Sequence, residues 1–86
     1  MNIDPVLADL LRLVDQLEAT HPGYLFMDSV HAAGADQATT DAAIADDLLL
    51  VDHRRRFDRA TAEFHDVLVC RLNRQHPTVR SLLASD

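Results

Sequence analysis

Residues 35–76 read ADQATTDAAIADDLLLVDHRRRFDRATAEFHDVLVCRLNRQH and contain neither glycine nor proline. These two residues are the strongest interruptions of helices, and here they occur only at the borders, as Gly34 and Pro77. The stretch therefore predicts helix over most of its length. Its charge also changes sign, because aspartates come first and arginines follow directly. The aspartates are Asp36, Asp41, Asp46, Asp47 and Asp52, and the arginines are Arg54, Arg55, Arg56 and Arg59.

The apolar side of this helical stretch changes partway along it. On an ideal helix of about 100° per residue, Leu48 and Val51 lie roughly opposite Phe64. A single helix would exceed ~50 Å, which is long for a compact small domain. We therefore predict two helices, roughly residues 40–51 and 53–75. The alternative is one long helix whose far end is covered by a second subunit.

The flanking segments also favour helix. Asp4 is a good N-cap, and Pro5 suits the first helical position, where a missing N–H costs nothing. The first helix is expected to end at residues 21–23, His-Pro-Gly. Residues 24–33 predict a short helix whose beginning is ambiguous between helix and strand, and residues 78–83 predict a last short turn of helix.

No run of residues shows the sustained alternation of a half-buried strand, and Val67–Val69 lie inside a helical pattern. The predicted fold class is therefore all-α: a small bundle of four to five helices. Residues 1–86 are expected to form a single helical domain. Self-association is also expected, because contact with a second subunit would add stability to a core this small.

Charge and cysteine usage exclude several classes of protein. The net charge of −6 argues against general nucleic-acid binding. The charge is uneven: residues 1–52 hold one arginine against ten acids, whereas residues 53–86 hold seven arginines against four acids. A single cysteine, Cys70, excludes an internal disulfide and favours the cytoplasm. The longest uncharged run, Ala19–Met27, is too short to span a membrane, and no signal peptide is recognised.

The spacing of potential catalytic and metal-binding residues is uninformative. No two of the five histidines stand three or four apart, so neither a metal site nor a cofactor is predicted. Arg71 and His76 have the spacing used by a class of helical ribonucleases, in which arginine contacts phosphate and histidine acts as acid or base. This pair is the enzymatic alternative.

Two observations argue against a DNA-binding helix-turn-helix with Gly34 in its turn. The second helix needs an apolar residue near position 40, where Thr40 stands. Its aspartates would also be repelled by the phosphates of DNA. The basic segment Arg54–Arg59 is the better nucleic-acid candidate.

The sequence therefore predicts a non-enzymatic interaction or regulatory protein. It would bind a protein partner, or a second copy of itself as a homodimer, through apolar and charged helical surfaces. The first alternative is a nucleic-acid-associated regulator that uses Arg54–Arg59, and the second is a small ribonuclease-like enzyme that uses Arg71 and His76. The residues predicted to contact the partner are Leu48, Val51, Arg54, Arg55, Arg56 and Arg59.

Overall fold

The computed structural model describes residues 3–21 and 23–85, in which four helices accompany one antiparallel sheet of three strands. The predicted all-α bundle is therefore wrong, and the fold is of the α+β class. The elements are α1 (Pro5–Thr20), β1 (Leu25–Phe26), α2 (Met27–Ala32), α3 (Gln37–Ala45), β2 (Leu49–Asp58), β3 (Glu63–Leu72) and α4 (Pro77–Ala84).

The stretch without glycine or proline is broken twice by residues in the left-handed conformation. Asp47 has φ of 59° just after α3, and Ala62 has φ of 57° between β2 and β3. Glycine usually occupies such positions, so the sequence carries no ordinary signal for either break. The predicted helix over 40–51 is therefore confirmed only as far as Ala45, and the helix over 53–75 and the single long helix are wrong.

The turn between β2 and β3 is held by a side chain. The carboxylate of Asp58 accepts a hydrogen bond of 2.8 Å from the N–H of Ala60. An aspartate that bonds the backbone two residues on can replace the turn residues that normally reverse a hairpin. The strands can then pair without glycine, proline or asparagine between them.

Ala62→Gly tests this account of the turn. Glycine removes the strain of a left-handed alanine, which stabilises the fold, but it also adds entropy to the unfolded chain, which destabilises it. The first effect is larger, so we expect the free energy of unfolding to rise by about 0.5–1 kcal/mol. Ala60 lies in the same turn without a positive φ. Ala60→Gly should therefore lower the free energy by about 0.4–1 kcal/mol. Urea denaturation measures the free energy of unfolding of each variant. A loss of stability in Ala62→Gly as well as in Ala60→Gly would contradict the left-handed conformation of Ala62.

The first helix begins as predicted. The carboxylate of Asp4 accepts the N–H of Val6 at 2.8 Å, and Pro5 is the first helical residue. The helix ends at Thr20, and Gly23 adopts a left-handed φ of 84°. Pro22, part of the predicted stop, lies outside the described residues. The expected last helix is confirmed as α4, whose N-cap His76 accepts a hydrogen bond from the N–H of Thr78 through Nδ1.

Residues 24–33 begin extended and end helical. Leu25 and Phe26 form β1, opposite Cys70 and Val69 of β3, and α2 follows without a break. The short predicted helix is therefore confirmed only for its later part. Because β1 pairs with β3, the strand order is β1-β3-β2 and β2 lies at an edge of the sheet.

The helices α2 and α3 are joined by a four-residue turn that contains Gly34, which is the element order of a helix-turn-helix. Thr40 fills the position where an apolar residue was expected, and its side chain is fully buried. Its hydroxyl donates to the carbonyl oxygen of Gln37 at 3.0 Å and lies 3.1 Å from Nε2 of His31. Threonine is tolerated there because its own helix satisfies the hydroxyl. Position 40 is thus a buried position of α3, although it holds a polar residue.

The helices and the base of the sheet enclose one core. Its apolar residues come from every helix and from all three strands. They are Leu10, Leu11, Val14, Leu25, Met27, Val30, Ala43, Leu48, Leu49, Cys70, Leu72 and Val79.

Candidate functional site

The hairpin of β2 and β3 extends beyond the helices as an arm, which we define as residues 51–68. Every residue of β2 from 51 to 57 is exposed, and so is every residue of β3 from 63 to 66. At about 3.3 Å per residue, residues 51–58 span ~25 Å. The arm therefore accounts for much of the molecule's 48 Å longest dimension.

The pairing register assigns each arm residue to one face of the ribbon. Directly opposed residues share a face, and successive residues alternate between faces. Leu49 and Leu72 face the core, so the face they share continues outward along the arm. The arm residues on this inner face are Val51, His53, Arg55 and Phe57 of β2 and Phe64, Asp66 and Leu68 of β3.

An aromatic pair lies on the inner face near the tip of the arm. The ring centroids of Phe57 and Phe64 are 5.2 Å apart, and the residues are 49% and 61% exposed. Val51, nearer the body, is 37% exposed. Three of the five exposed large apolar side chains in the described part of the chain thus lie on this one face. The apolar face of the sheet therefore extends along the arm, beyond the part that the described helices cover.

The outer face of the arm holds two arginines against aromatic rings. The guanidinium carbon of Arg54 lies 4.6 Å from the ring centroid of Tyr24, and the guanidinium also pairs with Asp52 at 3.3 Å. The guanidinium carbon of Arg56 lies 5.4 Å from the ring centroid of Phe26. Arginines over ring faces gain cation–π attraction. These two arginines therefore have partners within their own chain.

The inner face carries one charge of each sign. Arg55 stands opposite Asp66, yet its guanidinium leans over the ring of Phe64, 5.0 Å from the centroid. Within the described residues, neither Arg55 nor Asp66 forms an ion pair. Arg59 lies in the exposed turn. Asp66 thus keeps its carboxylate available to a partner, and Arg55 has a contact with Phe64 but no ion pair.

The predicted partner-binding residues are divided among three places. Leu48 is only 4% exposed and belongs to the core, so it cannot meet a partner. Val51 and Arg55 lie on the inner face, Arg54 and Arg56 lie on the outer face, and Arg59 lies in the turn. The structure therefore brings together a hairpin with two different faces, not one basic helical surface. Sequence reasoning did not single out Phe57 and Phe64 as surface groups, because it placed this stretch in a helix.

An ion-pair cluster anchors the end of β3 to α1. One carboxylate oxygen of Glu18 accepts the N–H of Leu72 at 2.8 Å, and the other pairs with the guanidinium of Arg74. Arg74 also pairs with Asp15 at 3.0 Å. The hydrogen bond to Glu18 is the main reason that the pKa of Arg74 is raised. These contacts fix the base of the arm and serve a structural purpose.

An open cleft of about 640 Å³ lies beside this cluster on the outer face of the sheet. Tyr24, Arg54 and Arg71 line it, together with Glu18 and Asp52. Most of its charged groups are already engaged, since Arg54 pairs with Asp52 and Glu18 holds Arg74. Cys70 also lines this cleft.

The residues of the enzymatic alternative line different clefts. Arg71 borders the cleft beside Tyr24, whereas His76 borders one near the start of α1. His76 also uses Nδ1 to cap α4. Their placement gives the ribonuclease alternative no support.

Cys70 is buried beneath the sheet, 4% exposed. Burial, and secondarily the charge of Glu18, raises the pKa of its thiol to about 11. Only the thiolate is nucleophilic, so we expect iodoacetamide at mildly alkaline pH to alkylate the folded protein about 100-fold more slowly than the unfolded protein. Mass spectrometry over time measures both rates. Equal rates would contradict the buried position of Cys70.

In the described ranges, no three His, Cys, Asp or Glu side chains are grouped to hold a metal ion. None of the helices described here combines the length and the apolar character needed to cross a membrane. No protein-family model matches the chain, and comparisons with curated proteins and with solved structures give no match either.

Proposed function

We propose that this chain is a non-enzymatic interaction protein that binds a protein surface through the inner face of its arm. The exposed pair of Phe57 and Phe64 carries the proposal, because no helix or other strand in the described part of the chain covers it. A two-stranded ribbon is at best marginally stable in water without a third strand or a packed face. A protein surface that covers the inner face would supply that packing.

The residue types of the inner face support a protein partner. Aromatic residues and arginine are enriched at the centres of protein interfaces, and they often carry most of the binding energy. The inner face offers two phenylalanines and Arg55 at its outer end, with Val51 and Leu68 towards the body. Contiguous exposed apolar side chains on a small protein commonly mark an interaction site.

Retention of proteins from a native extract tests this function. The bait is the wild-type chain, compared with the double variant Phe57→Ser/Phe64→Ser. Val6→Ser is the matched control, because Val6 is 57% exposed but lies on α1, away from the arm. We expect the wild type and the control to retain the same specific proteins, and the double variant to lose them. Identical retention by all three baits would contradict the proposal.

Nucleic-acid binding is the second candidate, and the helix-turn-helix is the observation that favours it. A hairpin with four arginines follows α3, in the order of a winged helix-turn-helix, and such motifs place their second helix in the major groove of DNA. The charges oppose this use. α3 contains no basic residue, and Asp36, Asp41 and Asp46 at its ends and on its surface are exposed. Phosphates would be repelled from this helix.

A titration with duplex DNA and with single-stranded RNA separates the two candidates. Phosphate contacts make binding fall steeply between about 50 mM and 200 mM salt. We expect no salt-dependent binding to either nucleic acid. Binding that weakens with salt and disappears in a variant with Arg54, Arg55, Arg56 and Arg59 changed to Gln would instead support the nucleic-acid function.

A further inference from the structure

We infer that the partner of the inner face is a second copy of this chain, so that two arms pack face to face around a two-fold axis. This inference rests on the proposed function and names the partner of the same surface. In a two-fold contact each copy presents the same patch, which must therefore be complementary to itself. Two properties of the arm meet this condition, and a third disfavours the other way in which two copies could pair.

The first property is the distribution of charge. The arm holds four arginines against four acids, Asp52, Asp58, Glu63 and Asp66. Its formal charge is therefore zero, and the rest of the chain carries the entire net charge of −6. Two neutral arms can therefore meet without net charge repulsion between them, and the excess negative charge of each copy lies outside the arm.

The second property is the composition of the inner face. It offers an aromatic pair, one cation and one anion, and the two charges do not pair with each other within the chain. A second inner face supplies rings to cover Phe57 and Phe64, a carboxylate for Arg55 and a guanidinium for Asp66. Charged groups of opposite sign across an interface favour the correct partner.

The third property is the protection of the sheet edge. β2 lies at the edge of the sheet, so two copies could in principle pair along it. Arg54, Arg55 and Arg56 follow one another there, and a two-fold pairing of β2 centred on them would bring arginines opposite arginines. Like charges directly opposite each other destabilise strand pairing. The inner face is therefore the preferred contact.

Sedimentation equilibrium over a range of concentrations tests the dimer. We expect the wild type to dimerise and Phe64→Ser to raise the dissociation constant at least about tenfold, since buried interface aromatics commonly contribute that much or more. Phe57→Ser should act in the same way. Tyr24→Ser is the matched control, because Tyr24 is 60% exposed and belongs to the outer face. Its effect should stay within about twofold.

Two charge reversals give a test that a folding defect cannot imitate. Arg55→Asp leaves the inner face with two acids, and Asp66→Arg leaves it with two bases. Each variant alone should dimerise at least about tenfold more weakly, because identical faces then repel each other. An equimolar mixture should recover the dimer, because the acidic face meets the basic one.

The results separate this inference from the proposed function. A wild type that stays monomeric at high micromolar concentration, or a mixture that fails to recover the dimer, overturns the inference. The inference is also overturned if Phe64→Ser and Tyr24→Ser raise the dissociation constant of the dimer by the same factor. In each of these cases, arm-dependent retention of a different protein would leave the proposed function standing. Loss of both the dimer and the arm-dependent retention would remove the proposed function as well.

Discussion

Leu49→Ala is expected to lower the free energy of unfolding by about 2–5 kcal/mol, the range for removing a buried leucine side chain. Leu49 is 1% exposed, stands opposite Leu72 in the sheet and belongs to the core. A domain of this size has a total stability of only ~4–13 kcal/mol. The variant should therefore approach the limit of folding. Urea denaturation of the wild type and the variant measures the difference.

Val51→Ala is the matched control for this prediction. Val51 lies on the same strand and the same face, two residues further out, but is 37% exposed. We expect a loss below about 1 kcal/mol, because little buried surface is removed. A larger loss for Val51→Ala than for Leu49→Ala would place Val51 in the core instead of Leu49. That order of effects would contradict the strand.

Replacement of residues 55–66 by Asn-Gly is expected to remove binding through the arm while the body still folds. Arg54 and Val67 are directly opposed, so a two-residue turn between them keeps the register of the sheet. No residue of the removed segment belongs to the core. The free energy of unfolding should therefore change by less than about 1 kcal/mol, while the retention of partners and the self-association are lost.

Three measurements check the shortened chain together. Far-UV circular dichroism reports the helices, urea denaturation reports the stability, and sedimentation reports self-association. Global unfolding of the shortened chain would show that the arm contributes to the body's stability, contrary to its exposed position. Unchanged self-association in a folded, shortened chain would show that the contact surface lies elsewhere.

The local signals that lie at the ends of the chain were read correctly from the sequence. Asp4 and Pro5 start α1 because a carboxylate cap and a proline at the first position satisfy the orphan N–H groups of any helix. The short helix α4 was also predicted, over residues 78–83, and it begins one residue earlier, at Pro77. These signals depend only on residues within one helical turn of each other, so they can be interpreted without knowledge of the tertiary contacts.

The centre of the chain was misread because its breaks use uncommon residues. Asp47 and Ala62 take left-handed conformations without being glycine, and Asp58 closes the turn through its side chain. The arm is exposed on both faces, so its strands lack the alternation that reveals a half-buried strand. The β-branched and aromatic residues of β3, such as Phe64 and Val67, were the remaining signal for a strand.

Part of the predicted contact set is exposed in the structure. The sequence placed the interaction surface around Val51 and Arg54–Arg59, and the structure places these residues on the exposed arm. The faces could not be assigned, because a helix and a strand group the same residues differently. Leu48 was therefore predicted to contact a partner, and Phe64 was not predicted as a surface residue.

Nuclear magnetic resonance of the backbone tests most directly whether the arm exists, and every functional proposal depends on it. The register places Phe57 opposite Phe64 and Arg55 opposite Asp66. We expect cross-strand Overhauser contacts between the backbone protons of these pairs, together with extended-chain carbon shifts over β2 and β3. Helical carbon shifts over residues 53–72, with contacts between residues three apart in place of the cross-strand contacts, would contradict the account.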